Sequence, residues 1–143
     1  MRIPVIILLV MTLLSCTQDP AEKLQYLDGY WEIKRVEKDG EVVVEYQFNE
    51  NVDFFEINDM KGIRKKVKPQ LDGSYLVTDD SENIEVKIED DLLYIYYTTA
   101  FDSWREKVNT LTEDNLELEN EDGIIYHYQR YTPLLNDHNE EKE

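Results

Sequence analysis

From Tyr30 to Tyr131 the chain alternates between apolar and polar side chains with a period of two. Successive side chains on a strand point to opposite faces, so this period marks strands with one dry and one wet face. The first run places Trp31, Ile33 and Arg35 on one face and Glu32 and Lys34 on the other, and ends at an Asp39-Gly40 turn. Further strands are predicted over Val42–Phe48, Val52–Ile57, Ile63–Val67, Tyr75–Thr78, Ile84–Ile88, Leu92–Thr98, Trp104–Leu111, Leu116–Leu118 and Ile124–Tyr131. Leu24–Leu27 is expected to form a short helical turn, and no long helical stripe competes. About ten short strands between polar turns, some of them halves of one bent strand, predict an all-β antiparallel sandwich or up-and-down barrel.

Two hairpins can be counted through by parity. A two-residue loop at Asp90-Asp91 sets Ile88 opposite Leu93 and Val86 opposite Ile95. Leu93, Ile95 and Tyr97 then point inward, and Leu92, Tyr94 and Tyr96 form an outward apolar stripe. In Asn120-Glu121-Asp122-Gly123, a three-residue loop ending in a left-handed Gly123 pairs Leu118 with Tyr126 and Leu116 with Tyr128. That choice keeps apolar against apolar and puts Ile124, Tyr126, Tyr128 and Arg130 on the inner face.

Ahead of this region, Ile3–Leu14 is almost wholly apolar, follows the single cation Arg2, and is too short to span a bilayer. It has the length of a signal-peptide core. Leu13-Leu14-Ser15-Cys16 resembles the bacterial lipobox, which implies cleavage before Cys16 and diacylglycerol on its thiol. Two or three acyl chains, at about 0.8 kcal/mol per buried CH₂, would hold the mature protein on a membrane surface. Residues 1–15 are thus expected to be a leader and residues 16–23 a lipidated tether without periodicity. The residue after Cys16 is not Asp, which by the lipoprotein sorting rule that the resemblance brings in favours the outer membrane.

Asp28-Gly29-Tyr30-Trp31 opens the first strand. Its Gly-x-Trp resembles the opening signature of the lipocalins. The resemblance covers roughly residues 24–132 and implies an eight-stranded barrel. It also implies that Trp31 lies inside the closed end with an Arg from the last strand across it, for which Arg130 is the candidate. The parity count places Arg130 on the required face independently. In a barrel of that size the interior holds either side chains or one small ligand. Trp31, Ile33, Ile95, Tyr97, Tyr126 and Tyr128 are the expected lining.

Charge and inventory narrow the chemistry. The chain carries 32 acidic and 15 basic residues, a formal net charge of −17, with one further negative charge once Arg2 leaves with the leader. Such a surface repels nucleic acid and anionic headgroups. Cys16 is the single cysteine, so no internal disulfide is possible. Of the two histidines, His138 falls in the acidic tail 133–143, expected to be disordered, and His127 on the outer face of the last strand. Neither accompanies a nucleophile motif, and zinc ligands are too few, so no catalytic residue, metal or cofactor is assigned. Asp79-Asp80-Ser81-Glu82-Asn83 and Glu119–Asp122 read as polar turns rather than calcium loops. Lys61, Arg64, Lys65, Lys66 and Lys68 crowd into eight residues. Arg64, Lys66 and Lys68 would share one strand face, either as a lysine-protected sheet edge or as a docking patch.

The sequence thus predicts an envelope lipoprotein with a non-catalytic barrel that binds a small apolar or amphipathic ligand. The alternative is a structural accessory of an envelope protein assembly, with Leu92, Tyr94 and Tyr96 or Arg64, Lys66 and Lys68 as its contact surface.

Overall fold

The structure, a computed structural model, describes residues 19–133. Cys16, the leader and residues 134–143 of the tail lie outside the described residues. Nine strands follow one short helical segment: β1 (Gly29–Lys38), β2 (Glu41–Glu45), β3 (Val52–Asn58), β4 (Lys61–Pro69), β5 (Tyr75–Glu89), β6 (Leu92–Thr98), β7 (Ser103–Leu111), β8 (Asn115–Asn120) and β9 (Ile124–Arg130). Strands β3 to β9 form an antiparallel meander, and β1 pairs with both β3 and β9. These eight strands close into a barrel. β2 is an extra strand hydrogen-bonded to the outer half of β1.

The turns explain the register. Asp39-Gly40, Asp59-Met60 and Asp90-Asp91 each place two consecutive residues at positive φ, between 50° and 80°. That conformation twists a two-residue hairpin in the same sense as its strands. Met60 is an unusual residue there, and its side chain packs against the core. The Asp90-Asp91 turn sets Ile88 opposite Leu93 and Val86 opposite Ile95. The Asn120–Gly123 turn, with Gly123 at φ 73°, sets Leu118 opposite Tyr126 and Leu116 opposite Tyr128. Both hairpins have the register counted from the sequence.

Bulges decide what simple alternation misses. A register shift between Ile33 and Arg35 turns Arg35 outward and brings Val36 into the interior. The alternation expected for Trp31, Ile33 and Arg35 therefore stops after Ile33. The run Tyr75–Thr78 and the run Ile84–Ile88 are one strand, β5, and Asp79–Asn83 is its middle rather than a turn. β5 accommodates the change of direction where β4 shifts register between Lys65 and Val67. The strand expected over Val42–Phe48 ends at Glu45 and is exposed along its length.

Burial runs through the barrel axis. Leu27, Trp31, Phe55, Ile95, Tyr97, Leu116 and Leu118 have no more than trace exposure. Each such side chain contributes about 1.5–3 kcal/mol relative to an exposed one. On the outside, Tyr30 packs on Phe54 and stacks on Tyr75 at 4.3 Å, which draws the β4–β5 hairpin tip over the first strand.

One end of the barrel is stoppered by the segment before β1. Asp19 caps Ala21 N at 3.0 Å and Pro20 occupies the first turn of α1 (Pro20–Lys23). A 3-10 turn follows over Leu24–Tyr26 and delivers Leu27 into the barrel. The tether expected over residues 16–23 is thus helical from Pro20. The Trp31 indole N–H donates to Leu27 O at 2.9 Å. Arg130 lies 3.9 Å from the Trp31 ring centroid. Its guanidinium donates to Tyr26 O at 2.5 Å, Asp28 O at 2.7 Å and Glu113 O at 2.8 Å. Gly29 has φ +116°, and a Cβ there would lie 2.7 Å from Arg130 Nη1. Glycine at position 29 suits a backbone conformation that L side chains rarely adopt, and a Cβ there would also have to displace the Arg130 guanidinium.

Arg130→Ala should lower the unfolding free energy by about 2–4 kcal/mol, from the lost ring contact and charge-assisted bonds. Arg130→Lys should recover less than half, since one ammonium cannot reach three diverging carbonyls. Urea unfolding followed by tryptophan fluorescence measures both; a loss under 0.5 kcal/mol for the alanine variant would contradict this account.

Candidate functional site

Next to the Trp31–Arg130 pair the barrel interior carries a layer of charge. The Asp59-Met60 turn sets Arg64 opposite Phe55, and Phe55 is core, so Arg64 points inward. Its guanidinium carbon lies 4.6 Å from the Tyr97 ring centroid and 6.0 Å from that of Phe55. Arg64 donates to both carboxylate oxygens of Glu82 from Nε and Nη2. Its Nη1 is 3.7 Å from Glu106 Oε2. Beside it, Lys66 Nζ donates to the buried Asp53 carboxylate at 3.0 Å. Tyr97 stacks on Trp104 at 5.1 Å with an 11° interplanar angle. Tyr126, half-buried, completes the rim and accepts a hydrogen bond from Asn120 at 3.4 Å.

This layer holds the Arg64 cation and three carboxylates, and the Lys66 ammonium reaches Asp53 from outside, its side chain 64% exposed. Glu106 is the carboxylate with the weakest partners. Its Oε2 and the Tyr97 hydroxyl are buried and interact with each other, Arg64 lies 3.7 Å from that Oε2, and neither oxygen makes a well-formed hydrogen bond among the described residues. Burial pushes the Glu106 carboxyl above the usual glutamate range, opposed by Tyr97 and Arg64. Burial alone would lower the Arg64 pKa, but the Tyr97 phenol, Glu82 and Asp53 outweigh it and the guanidinium stays charged. Burial likewise raises the Tyr97 and Tyr128 phenols well above their ordinary value. The arrangement is therefore a carboxyl held above its usual range and a phenol beside a fixed cation, with aromatic faces around them. It has unused capacity to accept and donate hydrogen bonds. Among the described residues, no group of three or more His, Cys, Asp or Glu could hold a metal ion.

The expected lining is distributed along the axis. Trp31, Ile95 and Tyr97 are fully covered and Tyr128 nearly so, so they fill the barrel rather than face a cavity. Ile33 and Tyr126 keep partial exposure. Trp31 and Arg130 meet at the stoppered end, and Asp53 of the charged layer is the cross-strand neighbour of Trp31.

The basic run does not form a surface patch. Arg64 is inside, its side chain 13% exposed. Lys66 sits at the register shift and reaches back to Asp53, while Lys68 turns outward to Glu50. The expectation that Arg64, Lys66 and Lys68 share one face therefore fails because the bulge resets the alternation. Nor is β4 a sheet edge, since β3 and β5 flank it.

The stripe Leu92, Tyr94 and Tyr96 does face outward, but neighbouring strands cap it. Arg105 lies 5.0 Å from the Tyr94 ring centroid and 6.0 Å from that of Tyr96, and Lys87 Nζ is 4.4 Å from Tyr96. The Tyr96 hydroxyl donates to Glu89 at 2.6 Å. Leu92 remains exposed, and Phe101 does not fold back, being 99% exposed. Beside Tyr96 a groove of about 490 Å³ runs over β5, β6 and β7 to the rim, lined by Lys87, Tyr96, Tyr97, Trp104, Arg105 and Glu121 among others. His127 is also on the outer face, between Glu117 at 3.0 Å and Glu37 at 3.2 Å.

Sequence reading missed Asp53, Glu82, Trp104 and Glu106. For the last two a signal existed: an even loop between β6 and β7 pairs Tyr97 with Trp104 and Ile95 with Glu106. For Asp53 it did not, because Phe54-Phe55 makes either face of β3 read as apolar.

The family model for a lipocalin-like domain matches residues 27–118. The chain belongs to the lipocalin-like domain family. Among solved structures, this lipocalin-like chain is similar to an uncharacterized protein from Bacteroides eggerthii, at 17% identity over 73% of this chain and 99% of that one, with a TM-score of 0.45. It is also similar to a lipocalin-like protein from Bacteroides uniformis, at 15% identity over 73% of this chain and 98% of that one, with a TM-score of 0.45. No curated protein matches the chain.

A carboxyl whose folded pKa is raised favours the folded state at low pH and weakens it as pH rises through that pKa. Glu106→Gln should therefore be more stable than wild type at neutral pH, and the advantage should vanish as pH falls to the usual glutamate range. Thermal midpoints of both proteins between pH 4 and 8 test this. A gap independent of pH would mean that Glu106 is not the titrating group.

Proposed function

We propose that this chain is an envelope lipoprotein, anchored through Cys16, whose lipocalin-like barrel binds a small amphipathic ligand at its open end. The observation that carries the reading is the pair without well-formed hydrogen bonds at that end, Glu106 Oε2 and the Tyr97 hydroxyl, buried beside Arg64. Buried polar groups without partners are expensive, by about 1–3 kcal/mol each, so a ligand that supplies the missing bonds gains that energy on binding. The filled lower barrel favours a shallow site. The ligand's flat or apolar part would lie on Trp104, Tyr126 and Ile33, and its polar head would meet Glu106.

Charge selects the head group. The inner layer, Lys66 included, has one more carboxylate than cation, and the whole chain is at −17. A head that is cationic, or rich in hydrogen-bond donors, is favoured over an anionic one. It would also draw Glu106 towards its ionised form.

Dodecylamine and dodecanoate, titrated into the mature protein below their micellar concentrations and followed by tryptophan fluorescence, separate the outcomes. The amine should bind at least tenfold tighter than the carboxylate, and Glu106→Gln should remove that preference. Equal affinity for the two probes, or a preference that survives Glu106→Gln, would overturn the reading. For the anchor, Cys16→Ser should move the protein from the detergent phase to the aqueous phase in a two-phase extraction. Wild type found in the aqueous phase would remove the lipid from the account.

A second reading, an accessory of an envelope assembly, is supported by the groove beside Tyr96 and the outward-facing Tyr94. Tyr94→Ser with Tyr96→Ser should then abolish capture of the partner while leaving the unfolding midpoint nearly unchanged.

A further inference from the structure

β2 hangs from the barrel by one edge. It pairs with β1 through Arg35↔Glu45, Val36↔Val44, Glu37↔Val42 and Lys38↔Glu41, and its other edge has no strand partner among the described residues. Its sequence, Glu41-Val42-Val43-Val44-Glu45, is three β-branched residues between two acids. All five are exposed, Val42 at 54%, Val43 at 56% and Val44 at 41%. Phe48, just beyond, is 81% exposed. An edge strand normally carries lysine, proline or an inward charge that discourages pairing. β2 has none of these, and its one protective feature is the register shift that leaves Val43 out of the ladder with β1.

We propose that β2 is a docking edge for an extended segment of another protein, one that carries Lys or Arg on either side of a short β-branched or aromatic run. Backbone groups on a free edge select a strand, because only an extended chain can satisfy them in series. The valines select an apolar run, and the flanking glutamates select the cations. A second copy of this chain fits poorly. Two β2 strands paired antiparallel about Val43 would set Glu41 against Glu45 at both ends, and parallel pairing in register would set each glutamate against itself. Both repel, and each copy adds a net charge of −17. The same acidity disfavours an anionic membrane. This surface is separate from the barrel mouth, so the inference stands or falls independently of the ligand reading.

The test uses the mature protein in detergent and two labelled synthetic hexapeptides, KTVTVK and its acidic counterpart ETVTVE, with binding read by fluorescence anisotropy and by amide shifts in NMR. The basic peptide should bind at least tenfold tighter than the acidic one, with shift changes centred on Glu41–Glu45. Glu41→Lys combined with Glu45→Lys should invert the preference, and Val43→Lys should weaken the basic peptide at least tenfold with an unchanged unfolding midpoint. Equal binding of the two peptides, no binding of either, or shifts centred elsewhere would each overturn the proposal. So would a dimer in sedimentation that Val43→Lys dissolves, since the occupant would then be a second copy. Retention of lipid-free protein on neutral phosphatidylcholine vesicles that Val43→Lys abolishes would assign the valines to lipid and overturn it equally.

Discussion

The barrel depends on its closure, the ladder that joins β1 to β9, and that ladder is pinned at one end by Arg130. A closed barrel removes the free sheet edges that an open meander would expose. Closure brings the first and last strands together across about a hundred residues of chain, and it succeeds only if the two agree in register. The Arg130 guanidinium fixes that register by bonding to carbonyls of Tyr26, Asp28 and Glu113, so one side chain ties the stopper, the first strand and the β7–β8 loop. Trp31 supplies the surface on which it lies, and Gly29 supplies the room. The three residues are one device: remove the space, the plane or the charge and the other two lose their purpose.

Beyond the closed end the interior becomes charged. The aromatic and aliphatic layer of Trp31, Phe55, Ile95 and Tyr97 is fully buried. The barrel thus separates two tasks along its axis. The stoppered half holds the fold together through burial. The open half keeps polar groups whose hydrogen bonds are incomplete, a state costly for stability and useful for recognition. Arg64 is central there: it satisfies Glu82 fully, Glu106 in part, and lies over Tyr97.

The outer surface is also divided. On β5 to β8 the apolar stripe is covered by cations drawn from adjacent strands, Lys87 and Arg105, whose stems and charged heads lie on the tyrosine rings. An acidic protein has few cations, and two of them are used here to mask aromatic area. On β2 no such cover exists among the described residues. The contrast between a capped stripe and a bare strand of three valines distinguishes ordinary surface packing from a surface left open.

The sequence by itself determined the class of fold, the hairpin registers and the pair at the stoppered end. These follow from local rules: side chains alternate with period two, and short loops transmit parity from one strand to the next. Parity put Arg130 on an inward face, and the lipocalin resemblance supplied the closure that brings it onto Trp31. Only the tertiary structure decided where alternation fails. The bulges near Lys34, Lys66 and Asn109 shift the faces of β1, β4 and β7 because the sheet must coil to close, and nothing in the local sequence distinguishes a bulged residue from its neighbours. Those shifts turned Arg35 out and separated Lys66 from Lys68. The inward turn of Arg64 needed a different fact, the choice between Phe54 and Phe55 as core, and two adjacent aromatics leave that choice to packing across the barrel. Closure likewise decided that Tyr97 would be filling rather than lining, because the space at the axis is set by all eight strands together.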